Sequence, residues 1–256
     1  MANMFATMSV VGVRREPVSR RERPAKPALS RRGIVDTAVQ IMRAEGLEKV
    51  TMRRLAQELD TGPASLYVYV ANTAELHAAV LDALLGEVDL SGGKGDKDSE
   101  GDKDSEGGKG GNDWRGQLRT VMTSYTLVLF EHPQLARSAL VARPSGENYL
   151  RLVERILDLL SRSGAGREQV AWGVDKLLQD ATATAAEQAT RERDPHSEDD
   201  WSAAVGVLHA VDETTHPAIS AHIPHLVSGT AEDRMRWSFD VLVNGITATP
   251  VPGQAR

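Results

Sequence analysis

Residues 31–85 read RRGIVDTAVQIMRAEGLEKVTMRRLAQELDTGPASLYVYVANTAELHAAVLDALL. Apolar side chains recur here at the three- and four-residue spacing of amphipathic helices. The spacing predicts a first helix that ends at Gly46, because glycine commonly follows the last helical residue. Thr51 is a good N-cap for a second short helix. The apolar face of the first helix is formed by Ile34, Ala38, Ile41 and Met42.

A tight break at residues 60–62 precedes a third short helix, predicted from Pro63 to about Val70, since proline fits the first turn of a helix. Two short helices joined by a tight turn describe a helix-turn-helix, whose second helix reads the major groove. Periodicity alone also allows three plain core helices of a bundle. The positions expected to be exposed carry small or hydroxyl-bearing side chains and one ring, which suits close approach to base edges: Gly62, Pro63, Ala64, Ser65, Tyr67 and Val68.

The run TMRRLAQELDTGPASLYVYVANTAEL, residues 51–76, resembles the DNA-binding domain of the TetR family of bacterial transcriptional repressors. The sequence departs from the family at three positions. Asp60 stands in the turn where the family often has glycine, and Tyr69 stands where histidine is common. Thr73 stands where the family usually has a lysine that binds a phosphate. Aspartate tolerates a positive φ better than most residues. A threonine hydroxyl at a helix N-terminus can still hold an anion.

The resemblance implies which residues of the head bind DNA. The candidates for contact with bases are Arg53, Pro63, Ala64, Ser65 and Tyr67, and Gly62 lies on the same surface. The candidates for contact with phosphates are Thr51, Tyr67, Tyr69 and Thr73.

Charge is distributed unevenly along the chain. Residues 1–72 carry a net charge of +5, whereas the remainder carries −11, which gives a total of −6. A basic head on an acidic body is typical of a DNA-binding domain joined to a domain that does not bind DNA. Residues 1–30 are predicted to be a disordered basic tail. The tail is either simply solvated or an arm that contacts phosphates or the minor groove.

The predicted fold class is all-α, because aromatic residues are scarce and alanine is abundant. Residues 31–77 form the predicted DNA-binding domain, and residues 78–250 a helical domain for ligand binding and dimerisation. The hexamer GDKDSE occurs twice in a Gly-, Asp- and Lys-rich insert, residues 91–112, which is predicted to be disordered. A polar loop is predicted at residues 192–200, and an irregular His- and Pro-containing stretch before the last helix. Further helices are predicted at about residues 72–88, 114–131, 134–141, 147–161, 167–191, 201–211 and 231–247.

The run ARPSGENYLRLVE, residues 142–154, is similar to the segment that links the sixth and seventh helices of tetracycline-repressor-like proteins, where an Arg-Pro pair borders the drug pocket. Pro144 as a plain helix starter remains the alternative. The resemblance implies that a small apolar effector enters between the fourth and eighth helices. The pocket candidates are Leu81, Leu85, Met122, Tyr125, Arg143, Pro144, Trp172, Asp175 and Leu178, with an ordinary core role as the alternative for the apolar ones.

Long helices with more than one apolar stripe need a second partner surface. In the TetR family, two helices of the C-terminal domain pair with the same two helices of a second subunit. The resulting symmetric dimer presents two DNA-binding domains to a palindromic operator. The implied function is that of a ligand-responsive repressor that binds double-stranded operator DNA as a homodimer and is released by a small-molecule effector.

Other functions find little support in the sequence. There is no cysteine, so disulfides and thiolate metal sites are excluded. No apolar run approaches the roughly 18 residues of a membrane helix, and a cytoplasmic location is expected. Because GxSxG, P-loop and GxGxxG motifs are missing, no catalytic residue, cofactor or metal is predicted. The alternatives are an architectural DNA-binding protein without ligand, and a helical metal-dependent hydrolase using His222 and His225 near Asp212 and Glu213.

Overall fold

A computed structural model describes residues 28–92, 113–140, 145–194 and 196–252. Within these ranges the chain is helical and contains no strand, which confirms the all-α class. Most of the predicted tail, most of the predicted insert, and the pocket candidates Arg143 and Pro144 lie outside the described residues. None of the described helices has the length and apolar character needed to cross a membrane.

The described helices fall into a head, a connecting helix and a body. They are α1 (Arg31–Glu45), α2 (Met52–Glu58), α3 (Pro63–Leu66), α4 (Thr73–Leu85), α5 (Trp114–Glu131), α6 (Pro133–Ala139), α7 (Glu147–Ser161), α8 (Arg167–Arg191), α9 (Ser197–His209), α10 (Pro217–Leu226) and α11 (Ala231–Ala248), with a 3₁₀ turn at Leu47–Lys49 between α1 and α2.

The head is built as the sequence predicts. The Thr51 hydroxyl caps α2 by accepting a hydrogen bond from the backbone N–H of Arg54 at 3.2 Å. Ala56 is buried where α2 packs on α3, because its small side chain lets the two helices approach closely. In the turn between them Asp60 has a φ of 48°, the left-handed conformation that aspartate tolerates.

Helix α3 is shorter than predicted, because it ends at Leu66 rather than near Val70. The chain nevertheless stays wound, since the backbone N–H groups of Tyr69 and Val70 both donate to the carbonyl of Leu66 at 2.9 and 3.0 Å. Aromatic and β-branched residues occupy positions 67–70, and such residues lose side-chain freedom in a regular helix.

Two predictions for the C-terminal third were wrong. Helix α9 begins at Ser197, within the predicted polar loop, and its first turn carries three acidic residues that favour a helix N-terminus. The stretch predicted to be irregular forms α10, which contains Pro224. This proline lies two residues before the end of the helix, so little of the helix follows the lost hydrogen bond.

The body is organised around α8, against which α5, α6, α7 and α11 pack. Gly173 permits the close approach of α11, because a Cβ there would lie 2.6 Å from Cγ2 of Ile246. Helices α9 and α10 pack mainly on each other. Helix α4 packs on α1 in the head and on α6 and α7 in the body, so one continuous helix joins the two regions. The predicted domain boundary at residues 77–78 falls in its middle.

Candidate functional site

The outward side of α3 and the turn after it form a surface that is named here the reading surface, residues 62–68. Leu66 is fully buried and anchors this segment in the head, whereas Tyr67 and Val68 are 54% and 80% exposed. Gly62, Pro63, Ala64 and Ser65 are also exposed, as the sequence predicts. One buried anchor therefore holds an otherwise outward-facing segment of small side chains and a single ring.

The two adjacent arginines of α2 have different environments. Arg54 donates to Glu45 at 2.6 Å and to Glu58 at 2.7 Å, and these hydrogen bonds raise its pKa above the usual range. The same guanidinium lowers the pKa of Glu45. Arg53 is exposed, borders a shallow cleft beside Gly62 and Pro63, and forms no ion pair with another described residue. Arg54 thus ties α2 to α1, while Arg53 is available to a ligand of the reading surface.

Two of the candidates for phosphate contact, Thr51 and Thr73, lie at the starts of helices. Thr51 is exposed, and its hydroxyl accepts from Arg54, which leaves the hydroxyl hydrogen for an anion. Thr73 is exposed in the first turn of α4, just after the N-cap Asn72. Tyr69 is only half exposed because its ring packs against the hydrophobic core.

Five of the nine pocket candidates line one cavity of about 190 Å³, named here the effector pocket. It lies between α4, α5, α6, α7 and α8. The predicted lining residues are Leu81, Leu85, Tyr125, Asp175 and Leu178, and the residues that sequence reasoning did not identify are Ala139, Leu140, Tyr149, Gln179 and Thr182. Tyr149 lies in the run that carries the family resemblance, whereas Thr182 stands in an alanine-rich helix that gave no signal.

A buried polar pair defines the chemistry of the effector pocket. The Thr182 hydroxyl donates to the carbonyl of Leu178 at 2.6 Å, and Oγ1 of Thr182 lies 2.7 Å from the Tyr125 hydroxyl. Because a threonine hydroxyl has a single hydrogen, Tyr125 must be the donor in the second bond. Burial raises the pKa of Tyr125, which keeps the phenol protonated. The phenol oxygen can still accept a hydrogen bond from a ligand.

Two further candidates lie outside the effector pocket. Met122 faces a different cavity on α5, next to α11. Trp172 is 60% exposed on the outer side of α8, beside Val241 of α11. The structure therefore does not bring Met122 or Trp172 into the effector pocket.

Asp82 of α4 joins this helix to α7. Its carboxylate accepts a hydrogen bond from the backbone N–H of Tyr149 at 2.9 Å, while its carbonyl accepts from the Asn148 side chain at 3.0 Å. Gly146, the N-cap of α7, has no side chain to cap the helix, and a Cβ there would overlap the Asp82 carboxylate. A side chain from the helix that enters the head thus caps a helix that lines the effector pocket.

One group of possible metal ligands is present among the described residues, where the head meets the body. Ligand atoms of Glu87, Glu131 and His132 lie within 4.8 Å of one another, but both glutamates are exposed and Glu87 pairs with Arg43. Burial lowers the pKa of His132. The described ranges bring no comparable group together around His222 and His225.

The comparisons with known proteins agree with this architecture. Residues 107–249 match the model of the tetracyclin repressor-like C-terminal domain, and residues 34–80 match that of bacterial regulatory proteins of the tetR family. The chain belongs to the TetR family. Its two matched domains coincide with the body and with the helices that carry the reading surface.

Three relatives illustrate this family membership. The transcription regulator SCO7704 from Streptomyces coelicolor is 73% identical, with a TM-score of 0.69 over 90% of this chain and 100% of that chain. The TetR family protein ActR from Streptomyces coelicolor, in complex with actinorhodin, is 30% identical, with a TM-score of 0.71 over 90% of this chain and 99% of that chain. The transcriptional repressor DrrR1 from Streptomyces coeruleorubidus is 36% identical over 57% of this chain and 48% of its own length.

Proposed function

We propose that this TetR-family regulator represses transcription by binding a palindromic operator as a homodimer, and that a small molecule in the effector pocket releases it. The observation that carries the proposal is the reading surface, which is anchored by buried Leu66 and otherwise faces outward. The relative DrrR1 is named a repressor, and ActR binds actinorhodin. Such a protein acts where operator DNA is, in the cytoplasm.

The residues assigned to DNA follow from their positions. Pro63, Ala64, Ser65 and Tyr67 face outward on the reading surface and are assigned to base edges together with Arg53 of α2. Side chains this small let α3 approach the groove closely, so that methyl and hydroxyl groups can read it. Gly62 lets the backbone at the start of α3 come close to the DNA. Thr51, Tyr69 and Thr73 are assigned to phosphates, as is the hydroxyl of Tyr67.

The dimer surface is assigned to the outer sides of α8 and α11. Trp172, Trp237 and Val241 are 60%, 70% and 46% exposed there. Large apolar side chains in this number are unusual on the free surface of a monomer, and a two-fold pairing of α8 and α11 would bury them. The pairing would also give two reading surfaces, as a palindrome requires.

Release follows from the size and position of the effector pocket. Drug-sized ligands occupy roughly 300–1,000 Å³, which is more than the present cavity of about 190 Å³. An effector of that size would bind better when α4 moves away from α7 and α8, and only such a differential affinity can shift the conformational equilibrium. Since Leu81 and Leu85 of α4 line the pocket, the movement would reach the head directly.

The effector pocket also separates this proposal from its alternatives. An architectural DNA-binding protein without a ligand has no use for a cavity that reaches both the head-bearing helix and a buried phenol. The relatives named above are transcriptional regulators, and we assign no catalytic step to this chain.

The test begins with selection of bound duplexes from random-sequence DNA, which should enrich an inverted repeat. Tyr67→Ala should then weaken binding to that repeat by roughly fivefold or more, because a contact to a base edge contributes about 1–3 kcal/mol. Gln40→Ala, on an exposed neutral side chain of α1, is the matched control and should bind like the wild type. Analytical ultracentrifugation should show that both variants remain dimeric.

Two outcomes would contradict the proposal. The reading surface would be wrongly assigned if Tyr67→Ala bound the selected DNA as tightly as Gln40→Ala. A selection that enriched no inverted repeat would argue against binding as a symmetric pair.

A further inference from the structure

A second cavity lies on the opposite side of the α5–α8 pair from the effector pocket. It has a volume of about 370 Å³ and is enclosed by α5, α8 and α11. On α5, Tyr125 faces the effector pocket, whereas Met122 and Thr126 face the second cavity. The two cavities are therefore lined by different faces of α5.

We propose that the second cavity is a binding site for a neutral, mostly apolar small molecule that carries a carbonyl group. Its volume lies within the range of pockets for drug-sized ligands, about 300–1,000 Å³. Its interior is apolar and partly adaptable, because two methionines and one aromatic ring contribute to it. The apolar lining residues are Met122, Leu177, Ala181, Met235, Phe239 and Leu242.

The carbonyl is inferred from Arg119, which lines the cavity. Its Nη2 donates to Asp240 at 2.7 Å, and its guanidinium stands 5.9 Å from the centre of the Phe239 ring. The Nε–H of the same group is buried and has no acceptor among the described residues. A guanidinium has five N–H donors, and the Arg119 side chain is one-third exposed, so donors beyond the one given to Asp240 remain for an acceptor oxygen placed beside Phe239.

Neutrality of the ligand is inferred from the remaining charges. Asp180 and Glu232 line the cavity together with Arg119 and Arg236. These two acidic and two basic side chains cancel, so the wall of the cavity favours neither a cationic nor an anionic ligand. A carbonyl satisfies the Arg119 donor without adding a charge.

This site differs from the effector pocket in its relation to the head. No residue of α4 lines it, whereas Leu81 and Leu85 of α4 line the effector pocket. A ligand in the second cavity would change the distance between α5 and α8. Because the Tyr125–Thr182 hydrogen bond joins these two helices, that change would alter the affinity of the effector pocket for its own ligand. Binding at the second cavity is independent of the proposed function, and only this coupling rests on it.

The probe for the test is prodan, a neutral naphthalene with one ketone whose fluorescence shifts to the blue in apolar surroundings. Full-length protein should bind it saturably. Ala181→Leu places a larger side chain in the second cavity and should remove a binding site that the wild type has. Ala139→Leu, the matched control, fills the effector pocket instead and should retain that site. Circular dichroism melts establish that both variants are folded.

A second variant tests the hydrogen bond without filling space. Arg119→Lys keeps the positive charge beside Asp240 but removes the planar set of guanidinium donors. It should weaken prodan binding roughly five- to tenfold, as expected for the loss of one hydrogen bond. Its affinity for the same naphthalene with a propyl group in place of the ketone should equal that of the wild type.

The inference is overturned if Ala181→Leu binds prodan like the wild type, or if only Ala139→Leu loses binding, which would place the dye in the effector pocket. Equal effects of Arg119→Lys on both dyes would overturn the assignment of the carbonyl. None of these measurements involves DNA, so their failure is distinguishable from a failure of the operator experiment.

Discussion

The cap that Asp82 provides to α7 predicts a specific result for Gly146→Ala. The φ of Gly146 is −85° and its ψ is 179°, an extended conformation that alanine adopts without strain. The substitution therefore acts only through its Cβ, which would overlap the Asp82 carboxylate and push it from the N–H of Tyr149. Loss of an N-terminal cap costs about 0.5–2 kcal/mol, typically about 1.

The expected magnitude follows from that loss. A change of 1 kcal/mol shifts the melting temperature of a domain of 150–250 residues by roughly 2–4 °C, so Gly146→Ala should melt a few degrees below the wild type. Asp82→Ala removes the same cap and should cost a similar amount. In the double variant no carboxylate remains for the Cβ to displace, so its stability should match that of Asp82→Ala alone.

The assay is a double-mutant cycle by differential scanning calorimetry at one fixed protein concentration, because the stability of a dimer depends on concentration. A coupling of about −1 kcal/mol between the two substitutions is expected. Additive losses would refute the reasoning, as would a Gly146→Ala variant that melts like the wild type. Either result would mean that Asp82 does not cap α7 in solution.

Three further predictions use matched substitutions. Trp237→Glu should convert the dimer to monomers in sedimentation experiments, whereas Trp201→Glu on α9 should leave it dimeric; two unaffected variants would exclude α11 from the interface. Arg54→Met should lower the melting temperature of the head, while Arg53→Met should leave it unchanged and weaken operator binding; a reversed pattern would contradict their assigned roles. Burial lowers the pKa of His132, so below the usual histidine pKa of about 6.5 the unfolded chain takes up a proton more readily and stability falls. Urea unfolding at pH 7.5 and 5.5 should show a smaller loss for His132→Gln, and an equal loss would exclude this linkage.

The head could be predicted closely from the sequence because its information is local. The start of α2 is determined locally by Thr51, and the start of α3 by Gly62 and Pro63. The apolar Leu66 stands among polar and aromatic neighbours, and this local pattern determines which side of α3 faces outward. The start of α9 and the helical state of α10 were missed for the opposite reason. Neither element has a strong apolar face, and α10 contains a proline that local rules read as a helix breaker.

The body pockets could be predicted only in part because cavities depend on distant residues. Leu81, Tyr125 and Leu178 were reached through the family resemblance, and the fold brings them together. Nothing in the sequence near Arg119 indicates that its Nε would lack an acceptor, because that depends on where α11 places Asp240 and Phe239, more than 100 residues away. The same holds for Asp82, whose capping role appears only when α7 is docked on α4.

The continuity of α4 decides how an effector can act. Its first half packs in the head through buried Leu76 and Val80, and its second half enters the effector pocket through Leu81 and Leu85. A helix of this length spans about 20 Å, and a regular helix transmits a tilt rather than absorbing it. A ligand that displaces the pocket end of α4 would therefore move each reading surface as a unit, without altering α3 itself. Because half-sites must lie one helical turn of DNA apart, about 34–36 Å, a change in the separation of two intact heads is sufficient to lose the operator.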